Sequence, residues 1–191
     1  MPHLSINNSQ VEFQPGQTIL DLCQTLSINI PTLCHLAGTS PDGVCGLCLV
    51  QESNQGMIQA CSTKASPGMK IRTDGFEVRE ARKQAIEALV ATGNHNCGVA
   101  GAMTAGFTDF QMDAGDMEAS FDLCPVWGDC RLQDLVYEYQ AQVSVFDQGW
   151  KNQVPDVANP MIVRDFSRCI GCGRCVKACN EIQVNQAIDM D

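Results

Sequence analysis

Twelve cysteines among 191 residues, gathered into three groups, constrain this chain more than any other feature. In small modules such density means that cross-links or bound metal replace part of an apolar core. The opening stretch MPHLSINNSQVEFQPG has no basic segment followed by an apolar run and a small-residue cleavage site, and reads as strand, turn and strand. A cytoplasmic, reducing location is therefore expected. There, clustered thiols serve as metal ligands or redox groups more often than as disulfides, which stay the weaker alternative.

The formal net charge of −10 argues against a nucleic-acid surface. No apolar run approaches the ~20 residues that cross a bilayer, so no direct membrane insertion is expected. Length and cysteine grouping together favour a string of small modules.

Leu4 and Ile6, the Asn7-Asn8 pair, then Val11 and Phe13 predict a β-hairpin ahead of Pro15-Gly16. Thr18 and Asp21 have the form of a capping box with Asp in place of Glu or Gln, and Ile19, Leu22, Cys23 and Leu26 share one face of a short helix. Strands follow at 47–52, 57–60 and 69–73, around turns at 53–56 and Pro67-Gly68. From Val78 a helical stripe of Val78, Ala81, Ala85, Ile86, Leu89 and Val90 runs to a stop at Gly93, with Arg79, Arg82, Lys83 and Glu87 off the stripe. A second amphipathic helix is predicted over 132–140, burying Leu132, Leu135, Val136 and Tyr139. Residues 98–123 carry five acidic side chains and no basic one, and read as a loop or lid able to dock on a basic partner surface. A linker over 153–160 and a strand over 161–166 precede the last cysteines. Three regions result: 1–76, 77–152 and 153–191.

Cys34, Cys45, Cys48 and Cys61 form a C-x10-C-x2-C-x12-C series on a long loop with Gly38, Gly43 and Gly46. Four thiolates satisfy a [2Fe–2S] cluster, and the glycines permit the backbone angles of a loop wrapped closely around sulfur. A four-cysteine zinc site is the competing reading, although zinc ribbons use two C-x2-C pairs and only one is present here. Cys169, Cys172, Cys175 and Cys179 form a C-x2-C-x2-C-x3-C run, the pattern of [4Fe–4S] ferredoxins. In two-cluster ferredoxins the fourth cysteine of such a run serves the other cluster, and no second run follows. Three completions are open: Cys179 closes the same cluster, an outside group does so, or the chain is a shortened form of a longer architecture. Cys23 belongs to no group and reads as a small core residue.

The segment DGVCGLCLV, with the preceding strand pattern, resembles the amino-terminal region of the complex I 75 kDa subunit, of iron-only hydrogenases and of the diaphorase small subunit of NAD-reducing hydrogenases. That resemblance implies an α+β chain: a β-grasp [2Fe–2S] ferredoxin domain, a helical region with a mixed histidine/cysteine cluster, and a partial ferredoxin-like [4Fe–4S] segment. It further implies that His95, Cys97, Cys124 and Cys130, in GNHNC and CPVWGDCRLQDL, hold a [4Fe–4S] cluster. GNHNC is most similar to the diaphorase-subunit version. The family places two residues between its first and second cysteines, where this chain has 26. Alternatives for this group are a helix-end role for His95 and core or reactive roles for the three thiols.

No glycine-rich dinucleotide fingerprint follows a strand, so flavin and NAD(P) are expected on a partner subunit. The expected function is an electron relay between that flavin- and NAD(P)-binding subunit and a further redox subunit, with no catalytic residue or substrate site on this chain. A hydrogenase, a formate dehydrogenase or a bifurcating oxidoreductase would serve as the larger assembly. An iron–sulfur module that organises or senses without net electron flow, and a zinc adaptor, are the competing classes.

Overall fold

The Asn7-Asn8 pair turns the chain in a two-residue loop, with both residues at positive φ (49° and 69°), between β1 (His3–Ile6) and β2 (Ser9–Glu12). Ile6 pairs with Ser9 across it. Positive φ at both central residues matches the right-handed twist of paired strands, and asparagine tolerates it at low cost. The Asn7 amide donates to Thr73 Oγ1 at 2.7 Å and accepts from the Thr73 N–H at 2.9 Å, tying this turn to a residue 66 positions away.

This computed structural model describes residues 1–91, 128–141, 156–159, 161–164 and 169–189. Two compact units divide the chain, Met1–Arg82 with Gly171–Asp191, and Lys83–Ile170.

In the first unit β3 (Leu49–Glu52), β4 (Gly56–Gln59) and β5 (Lys70–Arg72) complete a five-stranded sheet of order β2-β1-β5-β3-β4. β1 runs parallel to β5 and antiparallel to β2. The connection between β1 and β5 includes α1 (Ile19–Thr25). Thr18 Oγ1 accepts from the Asp21 N–H at 3.1 Å while the Asp21 carboxylate accepts from the Thr18 N–H at 2.8 Å, so aspartate does close the box. Ile19, Leu20, Leu22 and Cys23 are buried with Leu4, Ile6, Val50 and Ile71 in one core. This is the expected α+β, β-grasp architecture.

Cys23 is a core residue, and burial pushes its thiol up to about 11 against the opposing charge of Arg82. Leu26 departs from the expected helical face. The helix ends at Thr25, the following Ser27 takes a φ of 57°, and Leu26 is 42% exposed.

Glu52 is buried at the end of β3, where the β3–β4 turn folds its amides inward. Its carboxylate accepts from the Asn54 and Gln55 N–H groups at 2.7 and 2.8 Å. Burial works against the charged form, but hydrogen bonds from Asn54, Gln55, Lys70 and Ser53 outweigh it and hold the carboxyl below the ordinary glutamate range.

The predicted helix from Val78 is α2 (Phe76–Ala91), burying Val78, Ile86, Leu89 and Val90. Arg82 and Glu87, read as outside the apolar stripe, are buried as well. For Arg82 the reason is visible: its guanidinium donates to the Leu49 carbonyl at 2.7 Å and the Thr73 carbonyl at 2.9 Å, beside β3 and β5. In the second unit α3 (Arg131–Tyr139) buries Leu132, Leu135, Val136 and Tyr139 as expected, and Gln140 stops it in the left-handed conformation. The stretch read as a linker holds a strand. β6 (Asp156–Asn159) pairs antiparallel with β7 (Ile162–Arg164), which lies within the predicted strand. In the first unit the chain closes with the short helix α4 (Arg174–Lys177) and a π-helical turn, Ala178–Ile182. No helix among the described residues is long and apolar enough to cross a membrane.

Because the folded pKa of Glu52 is lowered, its contribution to stability is complete above the ordinary glutamate range and is lost as pH falls through the lowered value. Glu52→Gln should therefore lower the melting temperature by the same amount across the neutral range. A gap that opened or closed between mildly acidic and mildly alkaline buffer, in thermal melts followed by circular dichroism, would contradict this assignment.

Candidate iron–sulfur centres

The loop between α1 and β3 has no regular structure of its own, yet Cys34, Cys45 and Cys48 on it are buried, as is Cys61 just beyond β4. Local hydrogen bonds supply part of the reason. The Gln59 side chain, on β4, donates to the Gly43 carbonyl at 2.9 Å and draws the loop onto the sheet. Gly43 has a φ of 67°, and a side chain there would run into the Gln59 amide. The Cys48 carbonyl accepts from the Ala60 N–H at 2.9 Å, bringing Cys48 beside Cys61.

The four sulfurs meet in two pairs, Cys34 Sγ with Cys45 Sγ at 3.3 Å and Cys48 Sγ with Cys61 Sγ at 3.2 Å. Both separations are far above the about 2.05 Å of a disulfide. They fall short of the about 3.8 Å edge that a tetrahedral metal with bonds of about 2.3 Å imposes on two thiolate ligands, so a bound metal would spread each pair slightly. Charge links the two pairs, that of Cys61 acting on Cys34 and that of Cys45 on Cys48. Two contacting pairs, each able to give two thiolates to one iron, match the ligand count of a binuclear centre.

Proton affinities show what metal must displace. Burial raises the Cys34 thiol to about 11. Cys48 is raised because its proton is shared with Cys61, with burial adding to the effect. Cys61 falls to about 7, first because Cys48 donates to it, then, against the opposing effect of burial, through the Ser62 contact and the positive charge of Lys177. The Cys48–Cys61 pair thus shares a proton held on Cys48, which a metal ion bound by both sulfurs must replace.

In the last group Cys169 and Cys172 precede α4, Cys175 lies in it and Cys179 in the turn beyond. Cys169 and Cys175 are exposed, Cys172 is partly buried, and Cys179 is buried inside the π-helical turn. The Cys179 sulfur accepts from the Ala187 N–H at 3.4 Å and its carbonyl from the Asn185 N–H at 2.9 Å, so its setting differs from that of the other three. Of the middle group, Cys130 is half-buried at the amino end of α3, in extended conformation. His95, Cys97 and Cys124 lie outside the described residues, as does the acidic stretch 98–123.

The structure adds residues that sequence reasoning missed. Ser40, Asp42, Lys177 and Glu181 join the first cysteine loop to the last cysteine segment. Partners some 140 positions apart leave no local pattern, and Lys177 between two cysteines looks like any solvated lysine.

A β-grasp sheet with two contacting pairs of buried thiols is the class of site a [2Fe–2S] module presents. Residues 2–75 match the family model described as a 2Fe-2S iron-sulfur cluster binding domain, and residues 160–181 match that of a 4Fe-4S binding domain. In particular, the chain resembles the iron–sulfur region of NAD(P)-linked oxidoreductases. It is 29% identical over 185 residues, 95% of its length, to the G-type subunit of an NADH-quinone oxidoreductase of Rhizobium meliloti, of which it spans 19%. It is 29% identical over 174 residues, 91% of its length, to the gamma chain of the NAD-reducing hydrogenase HoxS of Cupriavidus necator, of which it spans 64%. A solved NAD+-reducing [NiFe]-hydrogenase, in the H2-reduced state, superposes over 100% of this chain and 70% of that one with a TM-score of 0.79 and 27% identity. The chain thus spans less than two thirds of these two curated relatives.

Replacing Cys48 by serine should abolish the [2Fe–2S] electron paramagnetic resonance (EPR) signal of the reduced, cluster-loaded chain and leave signals from later groups in place. Simultaneous loss of every signal would show that the centres do not assemble independently.

Proposed function

We propose that this chain is an iron–sulfur electron-transfer subunit, in which Cys34, Cys45, Cys48 and Cys61 hold a [2Fe–2S] cluster. Cys169, Cys172 and Cys175, with Cys179 or an outside group, hold a [4Fe–4S] cluster, and His95, Cys97, Cys124 and Cys130 a second. The three regions, 1–76, 77–152 and 153–191, each carry one centre. The observation that carries the reading is the pair of buried sulfur contacts, at 3.3 and 3.2 Å, around a loop without regular structure.

When bound, such clusters take up and release single electrons. The protein's own part is to bury the sulfurs, exclude water and supply thiolates at the right separation. Cys61, whose thiol is drawn down to about 7 by the hydrogen bond from Cys48, holds its proton least tightly of that pair. The donor side of the relay is a flavin- and NAD(P)-binding subunit and the acceptor side another redox subunit, in the cytoplasm. Relatives named as hydrogenase and NADH-quinone oxidoreductase subunits support this placement, and a putative formate dehydrogenase of Bacillus subtilis, 24% identical to this chain over 97% of its length, extends the range of assemblies.

The test is reduction in the assembled complex. With its flavin subunit present, NAD(P)H should reduce the clusters within turnover, giving EPR signals that vanish on reoxidation. Clusters that stay oxidised while the complex turns over would overturn the relay and leave an organising or sensing module. For the middle group, His95→Ala should alter or remove one [4Fe–4S] signal, and an unchanged spectrum would exclude histidine from the ligand set.

A further inference from the structure

The carboxy-terminal segment directs two charged side chains, four residues apart, at the loop between Cys34 and Cys45. Lys177 is buried; its ammonium lies 2.7 Å from the Asp42 carboxylate and donates to the Ser40 carbonyl at 2.6 Å. Glu181 accepts from the Ser40 N–H at 2.9 Å and from its hydroxyl at 3.0 Å. Ser40 is therefore gripped at its N–H, its C=O and its side chain by the segment that carries Cys175 and Cys179.

Simple adhesion does not call for this chemistry. Withdrawing an ammonium from water is costly, and a well-packed apolar contact commonly does as well or better. The charge has a more particular use beside a redox centre. Reduction adds one negative charge to a cluster, so a nearby cation favours the reduced form and a nearby carboxylate the oxidised form. Lys177 reaches the loop bounded by Cys34 and Cys45, and Asp42 stands three residues before Cys45 on that loop.

We propose that Lys177 is a positioning residue for the [2Fe–2S] centre: with Ser40, Asp42 and Glu181 it clasps the cysteine loop to the carboxy-terminal cluster segment, and its charge, balanced by Asp42, sets that centre's reduction potential. The inference rests on the assignment of Cys34, Cys45, Cys48 and Cys61 to a [2Fe–2S] cluster.

The experiment is a dithionite titration of the full, cluster-loaded chain, following the [2Fe–2S] EPR signal. Lys177→Met should move the midpoint to lower potential and Asp42→Asn to higher potential. The double variant should return toward the wild-type value, and Lys177→Arg should stay close to it. Shifts of the same sign in both single variants, or none, would reduce the clasp to a structural contact and overturn the inference. Should Lys177→Met lose its iron, Asp42→Asn decides alone, because Asp42 is 40% exposed and its exchange removes no buried cation. A midpoint there that stays or falls refutes the proposal. A wild-type chain lacking the signal removes the cluster assignment and this inference with it, whereas a present signal with unmoved midpoints removes this inference alone.

Discussion

Sulfur crowding governs the first module. Four buried thiols in two contacting pairs are a poor substitute for a hydrocarbon core, because each thiol is small and two of them are pushed toward holding protons they must surrender to act as ligands. The loop that carries three of them has no ladder of its own. It depends on Gln59, on the Cys48–Ala60 backbone bond and on the clasp from Lys177 and Glu181. The β-grasp sheet is thus a frame on which an irregular loop is held in place.

Much of that frame is readable from residue order alone, wherever a local signal has a local cause. Asn7-Asn8 between alternating runs marks the hairpin, Thr18 and Asp21 mark the start of α1, and the stripe of Leu132, Leu135, Val136 and Tyr139 marks α3. Signals fail where a side chain's role depends on remote backbone. Arg82 falls outside the apolar stripe by its charge, yet its fork of donors finds the carbonyls of Leu49 and Thr73. β6 escapes notice because its sequence, DVAN, is short, has no alternation of apolar and polar residues and pairs only with β7 among the described residues. Leu26 fits the apolar face by spacing, but the helix stops one residue earlier.

The candidate site divides in the same way. Cysteine spacing alone brings out Cys34, Cys45, Cys48 and Cys61 as one group, and the turns of the loop at glycines with positive φ help their convergence. Spacing does not say how the four will pair, since that depends on which strand end approaches which loop residue. Nor does it reveal that the last cysteine of the final run is enclosed while Cys169 and Cys175 face outward. Burial of Cys179 comes from the π-helical turn and the chain that folds back over it, neither of which has a pattern in residue types.

Strand order has a consequence for the integrity of the module. β5, three residues long, lies between β1 and β3 and is, among the described residues, the sole strand linking the β1–β2 hairpin to the β3–β4 hairpin within the sheet. Isolated two-stranded hairpins are marginal in water. A nick or a proline near Ile71 would therefore split the sheet along its middle and part the β1–β2 side from the β4 end that presents Cys61, so the most central strand is also the weakest seam.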